Sequence, residues 1–442
     1  MAISAPLKSG RKFQSLDGLR AIAALLVIFH HLHDYFPILG WPTYYLSRFV
    51  QQGWIGVDLF FVLSGFLITG ILLDTRAATN YFSGFYARRV LRIFPLYYLV
   101  LVGLIATGAL LTWRHVSGAA EFARLLPLPQ DRWTYFCFLT NWIGLWKAHW
   151  DSHFASILAH FWSLAIEEQF YLVWPFMVWL APRRAVPWIA GTLALVAAVV
   201  RGAWAMHFGP YHLVLPISIE IQLATICRLD GLFLGAIGAC IFRNPQLLAR
   251  LRRWLPWIAT LFLGAFVAVV TFMVVERDLT TYLIYGSDFR LAHPMEDQIL
   301  LFSQYGGLSL MAVGFGALVL LAAATEDQRS WMQRLLQSRI LAPFGKYSYG
   351  MYVYHVPLLG IANLALYSSF HAHTLTQRVL WNCSYIGFIV AASFAISAVS
   401  YEFFEKKILR FKRHFEARYP QARHPLFVVH PHPRTESSLS IR

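Results

Sequence analysis

Residues 15–31 read SLDGLRAIAALLVIFHH. Asp17 and Arg20 open the stretch, an apolar run fills residues 21–29, and His30 and His31 close it. Arg20 and His31 are eleven residues apart. At about 100° per residue, eleven steps return to within about 20° of the start, so a helix carries both side chains on one face. The rise between them is about 16 Å, roughly half the hydrocarbon thickness of a bilayer. An ionisable ring held near the bilayer midplane is expensive and marks a functional site by default. The plainer alternative is a buried histidine bonded to a neighbouring helix.

Composition supports reading this stretch as a membrane span. Of 442 residues, 58% are hydrophobic and only 13% charged, whereas a soluble domain carries about 25% charged residues. The 16 Trp, 21 Tyr and 35 Phe suit aromatic belts at two membrane interfaces. Four scattered cysteines, with no paired spacing, suggest neither a disulfide framework nor a zinc site, and no metal is expected. The N-terminal MAISAPLKSGRKFQ leads into the first apolar run without a small-residue cleavage site. It reads as the start of an uncleaved span rather than a signal peptide.

Ten segments are long enough to span, at about residues 19–39, 54–73, 90–112, 155–180, 185–205, 217–241, 254–275, 299–323, 347–366 and 380–401. They lack the alternation of a barrel strand. The expected fold is therefore all-α: a polytopic membrane protein with about ten transmembrane helices around a polar interior. Ten spans put both termini on one side. The segments on that side hold 27 of the 37 Lys and Arg residues. The positive-inside bias then places both termini in the cytoplasm of a cell whose inner (plasma) membrane holds the chain. The net charge of +15 is mostly this topology signal, with some attraction to anionic lipid, and nucleic acid is not an expected partner.

Two domains are expected: a transmembrane unit over residues 1–405 and a basic cytoplasmic tail over 406–442. The tail starts as KKILRFKRHFEAR, a surface-helix pattern, and becomes Pro- and His-containing and disordered. The largest outer segment, 113–154, carries Trp133, Tyr135, Trp142, Trp146 and Trp150, either as interface anchors or as a stacking surface for sugar. Within it, residues 136–146 are too short to span and read as interfacial or re-entrant. A second outer segment, 276–298, is polar.

Several spans hold groups capable of chemistry. FYARRVLRIFP at 85–95 sets Arg88, Arg89 and Arg92 at a cytoplasmic edge, with Arg89 and Arg92 on one helical face. They either determine topology or grip a polyphosphate through forked hydrogen bonds. In the fourth span His160, Ser163, Glu167 and Tyr171 fall on one stripe, with Glu168 rotated by about 100°. Two carboxylates in an apolar span do not both stay charged unless paired. Glu167 either salt-bridges an arginine such as Arg20 or Arg228, or orients a histidine for acyl transfer. Asp58, Arg228, Asp230 and His355 add polar groups in other spans; Arg228 and Asp230, two apart, do not face each other. Polar groups in so many spans imply a shared chamber or pathway.

Seven pieces in order carry a resemblance that covers about residues 14–410. They are SLDGLRAIAALLVIFHH, GVDLFFVLSGFLIT (56–69), FYARRVLRIFP, HFWSLAIEEQFYLVWP (160–175), RLDGLFLGAIGA (228–239), GKYSYGMYVYHVPLL (345–359) and SYEFFEK (400–406). The chain resembles the membrane-bound acyltransferase 3 family. That resemblance implies transfer of an acyl group, commonly acetyl, from cytoplasmic acyl-CoA to a hydroxyl of a glycan. Acyl-CoA would be a donor substrate, with no permanently bound cofactor. The family's Arg/Lys-x10-His motif falls on Arg20 and His31, its RxxR on Arg89 and Arg92, its SLxxE on Glu167, and a ninth-span histidine on His355. The family often has Pro after the last acidic residue, where this chain has Lys406. By this resemblance His31 and Glu167 are the expected catalytic pair, with His31 as general base or transient acyl carrier. Arg20, Arg88, Arg89 and Arg92 are expected to hold the donor. Asp17, Asp58, Ser163, Arg228, Asp230 and His355 are expected to support the site or the acceptor. Some members carry an extra extracytoplasmic domain; the roughly 36 residues after Lys406 are too few for one, so a separate periplasmic transferase is a possible partner. Span count alone would suit a transporter or flippase of a glycan or lipid-linked substrate, which moves substrate without a covalent change.

Overall fold

The long helices begin and end close to the apolar segments of the sequence. The computed structural model describes residues 13–37, 39, 41–143, 156–208, 223–285, 306–367, 370 and 373–419. Among the described residues every regular element is helical and none is a strand. The ten longest are α1 (Gln14–His31), α2 (Ile55–Thr75), α3 (Tyr81–Trp113), α4 (Trp162–Leu180), α5 (Val186–Phe208), α6 (Leu229–Phe242), α7 (Leu255–Tyr285), α8 (Leu308–Ala324), α9 (Leu341–Ala362) and α10 (Leu375–Ser400).

Among the described residues five stretches are long and apolar enough to cross a membrane on their own: Thr43–Thr75, Tyr81–Trp113, Val186–His207, Leu255–Phe272 and Leu375–Phe415. A sixth arises if α6 and the helix Pro245–Leu251, bent by 110°, are one span. The chain is thus an all-helical membrane protein, and the expected ten spans are matched in full by only half the long helices. The shortfall has visible causes. α1 has ionisable groups on both sides of a nine-residue apolar run, α4 carries Glu167 and Glu168, α8 has 17 residues and α9 is rich in tyrosine.

Boundaries also differ from expectation. α1 stops at His31 rather than near residue 39 and gives way to a 3-10 turn, His33–Tyr35. α4 starts at Trp162, after the turn Ala159–Phe161. α7 continues to Tyr285, through the first part of the segment expected as an outer loop, because no Gly or Pro interrupts VVERDLTTYLIY. The tail turns through Lys406–Leu409 and Arg410–Phe415 as expected of a surface helix, while residues 420–442 lie outside the described residues.

Close packing sets the frame of the bundle. α2 and α6 meet backbone to backbone: a Cβ at Gly65 would stand 1.8 Å from the Leu232 carbonyl oxygen, and one at Gly235 2.1 Å from that of Val62. Gly231 and Gly235 make the GxxxG spacing that allows such an approach. α1 packs between α2 and α9. Its first turn has no side-chain cap of its own; Glu326, just beyond α8, accepts the Gln14 N–H at 2.7 Å and also binds Ser15. An acidic group at a helix N-terminus is favoured by the helix dipole. Gly345 abuts the Asp17 backbone while His355 abuts His31, so α9 runs beside α1 in the same direction.

Candidate active site

Three imidazoles from three parts of the chain meet in the bundle. The ring centroids of His31 and His355 are 5.0 Å apart, and those of His355 and His160 are 5.1 Å apart. His31 ends α1, His160 sits in the turn before α4, and His355 lies within α9. His31 Nδ1 is 2.9 Å from the Val27 carbonyl oxygen. A carbonyl only accepts, so Nδ1 carries the hydrogen and Nε2 keeps the basic lone pair. His355 has the same arrangement, with Nδ1 2.7 Å from Tyr352 O, and its buried Nε2 has no partner among the described residues. Neither nitrogen of His160 has one. Each unmet buried polar atom costs about 1–3 kcal/mol, so this cluster is not optimised for stability.

One face of α9 leads from this cluster to the arginines. Tyr349, Tyr352 and His355 recur every third residue. Tyr352 donates to the His160 carbonyl oxygen at 2.8 Å, and the Ser163 hydroxyl lies 2.5 Å from Tyr352 Oη. Tyr349 donates to the Ile93 carbonyl oxygen at 2.8 Å, and the Arg92 guanidinium stands 5.8 Å from its ring. Six residues of helix separate Tyr349 from His355, a rise of about 9 Å. Arg88 donates to the Phe415 carbonyl oxygen, and Arg89 Nε is buried with no acceptor among the described residues. Among the described residues none of Arg88, Arg89 and Arg92 is in a salt bridge. Lys412, in the turn after α10, brings a fourth cation within electrostatic reach of all three. Carboxylates stand within electrostatic reach, Glu167 and Glu168 of Arg89, Glu405 of Arg92 and Glu416 of Arg88, but among the described residues none closes a salt bridge with them, and guanidinium donors left open in this way suit a polyanion.

The remaining expected residues divide between this site and the scaffold. Arg20 bonds Asp17 at 2.5 Å, one turn away on α1. Glu167 accepts from the Ser64 hydroxyl at 2.9 Å and from Tyr171 Oη at 2.9 Å. It bonds no imidazole among the described residues; the cations whose field reaches it are Arg89 and Arg20. Arg228 and Asp58 form a buried pair at 2.9 Å, and Asp230 pairs instead with Arg201 at 2.8 Å. Ser309 donates to the same Asp230 oxygen at 2.7 Å. Arg228 and Asp230 thus turn to different helices, as their spacing requires. Sequence reasoning left Arg201, Ser64, Tyr352 and Lys412 out of the site. The first two are single polar residues inside apolar runs; the third shares the helical face of His355. Trp142 Nε1 donates to Gln169 Oε1 at 3.2 Å, whereas Trp146 and Trp150 lie outside the described residues.

Comparison with known proteins places this arrangement. Residues 13–398 match the acyltransferase domain family. The chain belongs to that family. The acyltransferase match takes in the imidazole cluster and the arginines but stops short of Lys412. Curated relatives include the peptidoglycan O-acetyltransferase OatA of Listeria monocytogenes, 28% identical over 406 residues, covering 89% of this chain and 55% of that protein. The O-acetyltransferase OatA of Staphylococcus aureus is 27% identical, covering 80% of this chain and 52% of that protein. The putative peptidoglycan O-acetyltransferase YrhL of Bacillus subtilis is 28% identical, covering 90% and 55%. The chain spans about half the length of these relatives. No solved structure matches.

Proposed function

We propose that this chain is a membrane O-acetyltransferase that moves an acetyl group from cytoplasmic acetyl-CoA to a hydroxyl of an extracytoplasmic or lipid-linked glycan. The observation that carries the reading is the imidazole cluster's place along α9. His355 lies about 9 Å beyond the Tyr349 level, where the arginines stand, and about 12 Å short of Asn363 at the other end. A donor held by its phosphates at one end and an acceptor entering from the other would meet at His31. Membership of the acyltransferase family, and relatives named peptidoglycan O-acetyltransferase, support both the reaction and a glycan acceptor. The excess of Lys and Arg on the side of the termini supports a cytoplasmic arginine cluster and ten crossings.

In this mechanism Arg88, Arg89 and Arg92 bind the phosphates of acetyl-CoA, and its pantetheine arm runs along α9. His31 Nε2 takes the proton of the acceptor hydroxyl as the oxygen attacks the thioester carbonyl. The C–S bond then breaks, and the leaving thiolate takes the proton from the His31 imidazolium. The Val27 carbonyl holds the ring and stabilises its cation. Glu167, tied to Ser64 and Tyr171, fixes α4 against α2 and offsets the charge of Arg89.

The test is transfer of labelled acetyl from acetyl-CoA to soluble peptidoglycan fragments by the purified full chain in lipid nanodiscs. A base-labile labelled ester, with one free thiol released per ester, is expected. Movement of substrate across vesicles without ester formation overturns the proposal and favours a transporter.

A further inference from the structure

At the far end of α9 from the arginines lies a cavity of about 570 Å³, within the usual size range of small-molecule sites. It opens between the turn that follows α1, the residues that follow α9, and the first turns of α10. Phe36, Tyr367 and Trp381 give it flat apolar walls, and Asp34, Arg378 and Asn382 give it polar groups of three kinds. Trp381 is braced by Phe370, stacked at 4.2 Å, and its Nε1–H has no acceptor among the described residues. The Asn382 side-chain oxygen accepts from Tyr367 Oη at 3.4 Å. A hydrogen bond from His33, 3.1 Å away, holds the Asp34 carboxyl below the usual carboxylate range.

From Asp34 on the wall of this cavity, a file of imidazole contacts runs toward the candidate base. His33, bonded to Asp34, stacks on His30 with centroids 5.8 Å apart. His30 meets His31 edge to face at 5.0 Å. A ligand seated against Asp34 therefore stands three residues of chain from His31. The mixture of groups is selective. A lipid chain needs no carboxylate, amide and guanidinium together, and a simple anion needs no aromatic walls. A sugar unit uses both, because its ring has apolar faces and a rim of hydroxyls that donate and accept.

We propose that this cavity is the acceptor subsite and takes one sugar unit of a glycan, with Asp34, Arg378 and Asn382 reading its hydroxyl rim. The inference rests on the acetyltransferase reading above, and its test separates the two. Saturation-transfer NMR on the full chain in nanodiscs uses the disaccharide N-acetylglucosaminyl-N-acetylmuramic acid as probe. Wild-type protein is expected to bind it. Asp34→Ala with Arg378→Ala, both at exposed positions, is expected to weaken binding about tenfold or more, the loss of charge-assisted hydrogen bonds. Trp381→Phe keeps a six-membered aromatic ring for stacking but loses the N–H and the rest of the indole, and is expected to weaken binding to a smaller degree. In the transfer assay the double variant is expected to raise KM for the disaccharide while KM for acetyl-CoA stays within about twofold. Binding without transfer supports the cavity and counts against the acetyltransferase reading. Transfer with unaltered sugar dependence in the double variant overturns the cavity and leaves that reading intact. Absence of disaccharide binding to the wild type, or saturation transfer from nanodisc phospholipid alone, also overturns it.

Discussion

Replacing Arg228 by methionine removes a guanidinium but keeps most of its apolar bulk between the rings of Phe61 and Trp162, which lie 5.6 and 5.5 Å from it. The side chains of Arg228 and Asp58 are 3% and 6% exposed and 2.9 Å apart. The pair is made by Asp58 Oδ1, and Oδ2 has no partner among the described residues, so Arg228→Met strands a carboxylate in the bundle. Breaking a buried pair from one side costs about 3–5 kcal/mol, about a hundredfold to a few thousandfold in the folding equilibrium. Exchanging both partners for apolar side chains is close to neutral. The double variant Asp58→Leu with Arg228→Met should therefore recover most of the stability that either single variant loses. Unfolding in detergent, followed by circular dichroism across a denaturant series, measures all four proteins. Single variants as stable as the wild type, or losses that simply add in the double variant, would refute the reasoning. Transfer by a refolded double variant would further mark the pair as scaffold rather than chemistry.

Arg89→Ala combined with Arg92→Ala should raise KM for acetyl-CoA at least about tenfold, two charge-assisted contacts being lost, with a smaller change in kcat; an unchanged donor dependence would leave these arginines as topology determinants only. Gly65→Leu should abolish folded yield, since even a Cβ there would stand 1.8 Å from the Leu232 carbonyl oxygen; size-exclusion chromatography in detergent reads this directly. Glu167→Gln leaves one oxygen to receive two hydroxyl donors, from Ser64 and Tyr171, and should cost about 1–3 kcal/mol of stability together with transfer activity. Wild-type behaviour in both readouts would make that carboxylate idle.

The sequence carried the helical class, the position of the five helices long and apolar enough to cross a membrane, and the grouping of Arg88, Arg89 and Arg92, because apolar length and helical periodicity are local properties. The pairing of distant side chains was less legible. Two apolar glycine-bearing stretches do not say which faces meet, so the contact of Gly65 with the Leu232 backbone appears only in three dimensions. Glu167 was expected either to salt-bridge an arginine such as Arg20 or Arg228 or to orient a histidine, and the structure gives it Ser64 and Tyr171 instead. Its own stripe already contained Tyr171, four residues on, which was the better local guide. Arg201 passed as one cation in an apolar run, and its carboxylate, Asp230, lies 29 residues away. His160, His355 and His31 are far apart in the chain, and no spacing rule brings them together. The α9 face with Tyr349, Tyr352 and His355 also went unread beyond His355, although its period-three pattern stands in YSYGMYVYH.

The transfer rate of His31→Ala, measured with purified, folded protein and saturating acetyl-CoA, tests the central claim most directly. A positioned general base contributes about 10²–10⁴-fold, and a loss of that size is predicted, with donor binding retained. A variant that acetylates the glycan at the wild-type rate would contradict the account.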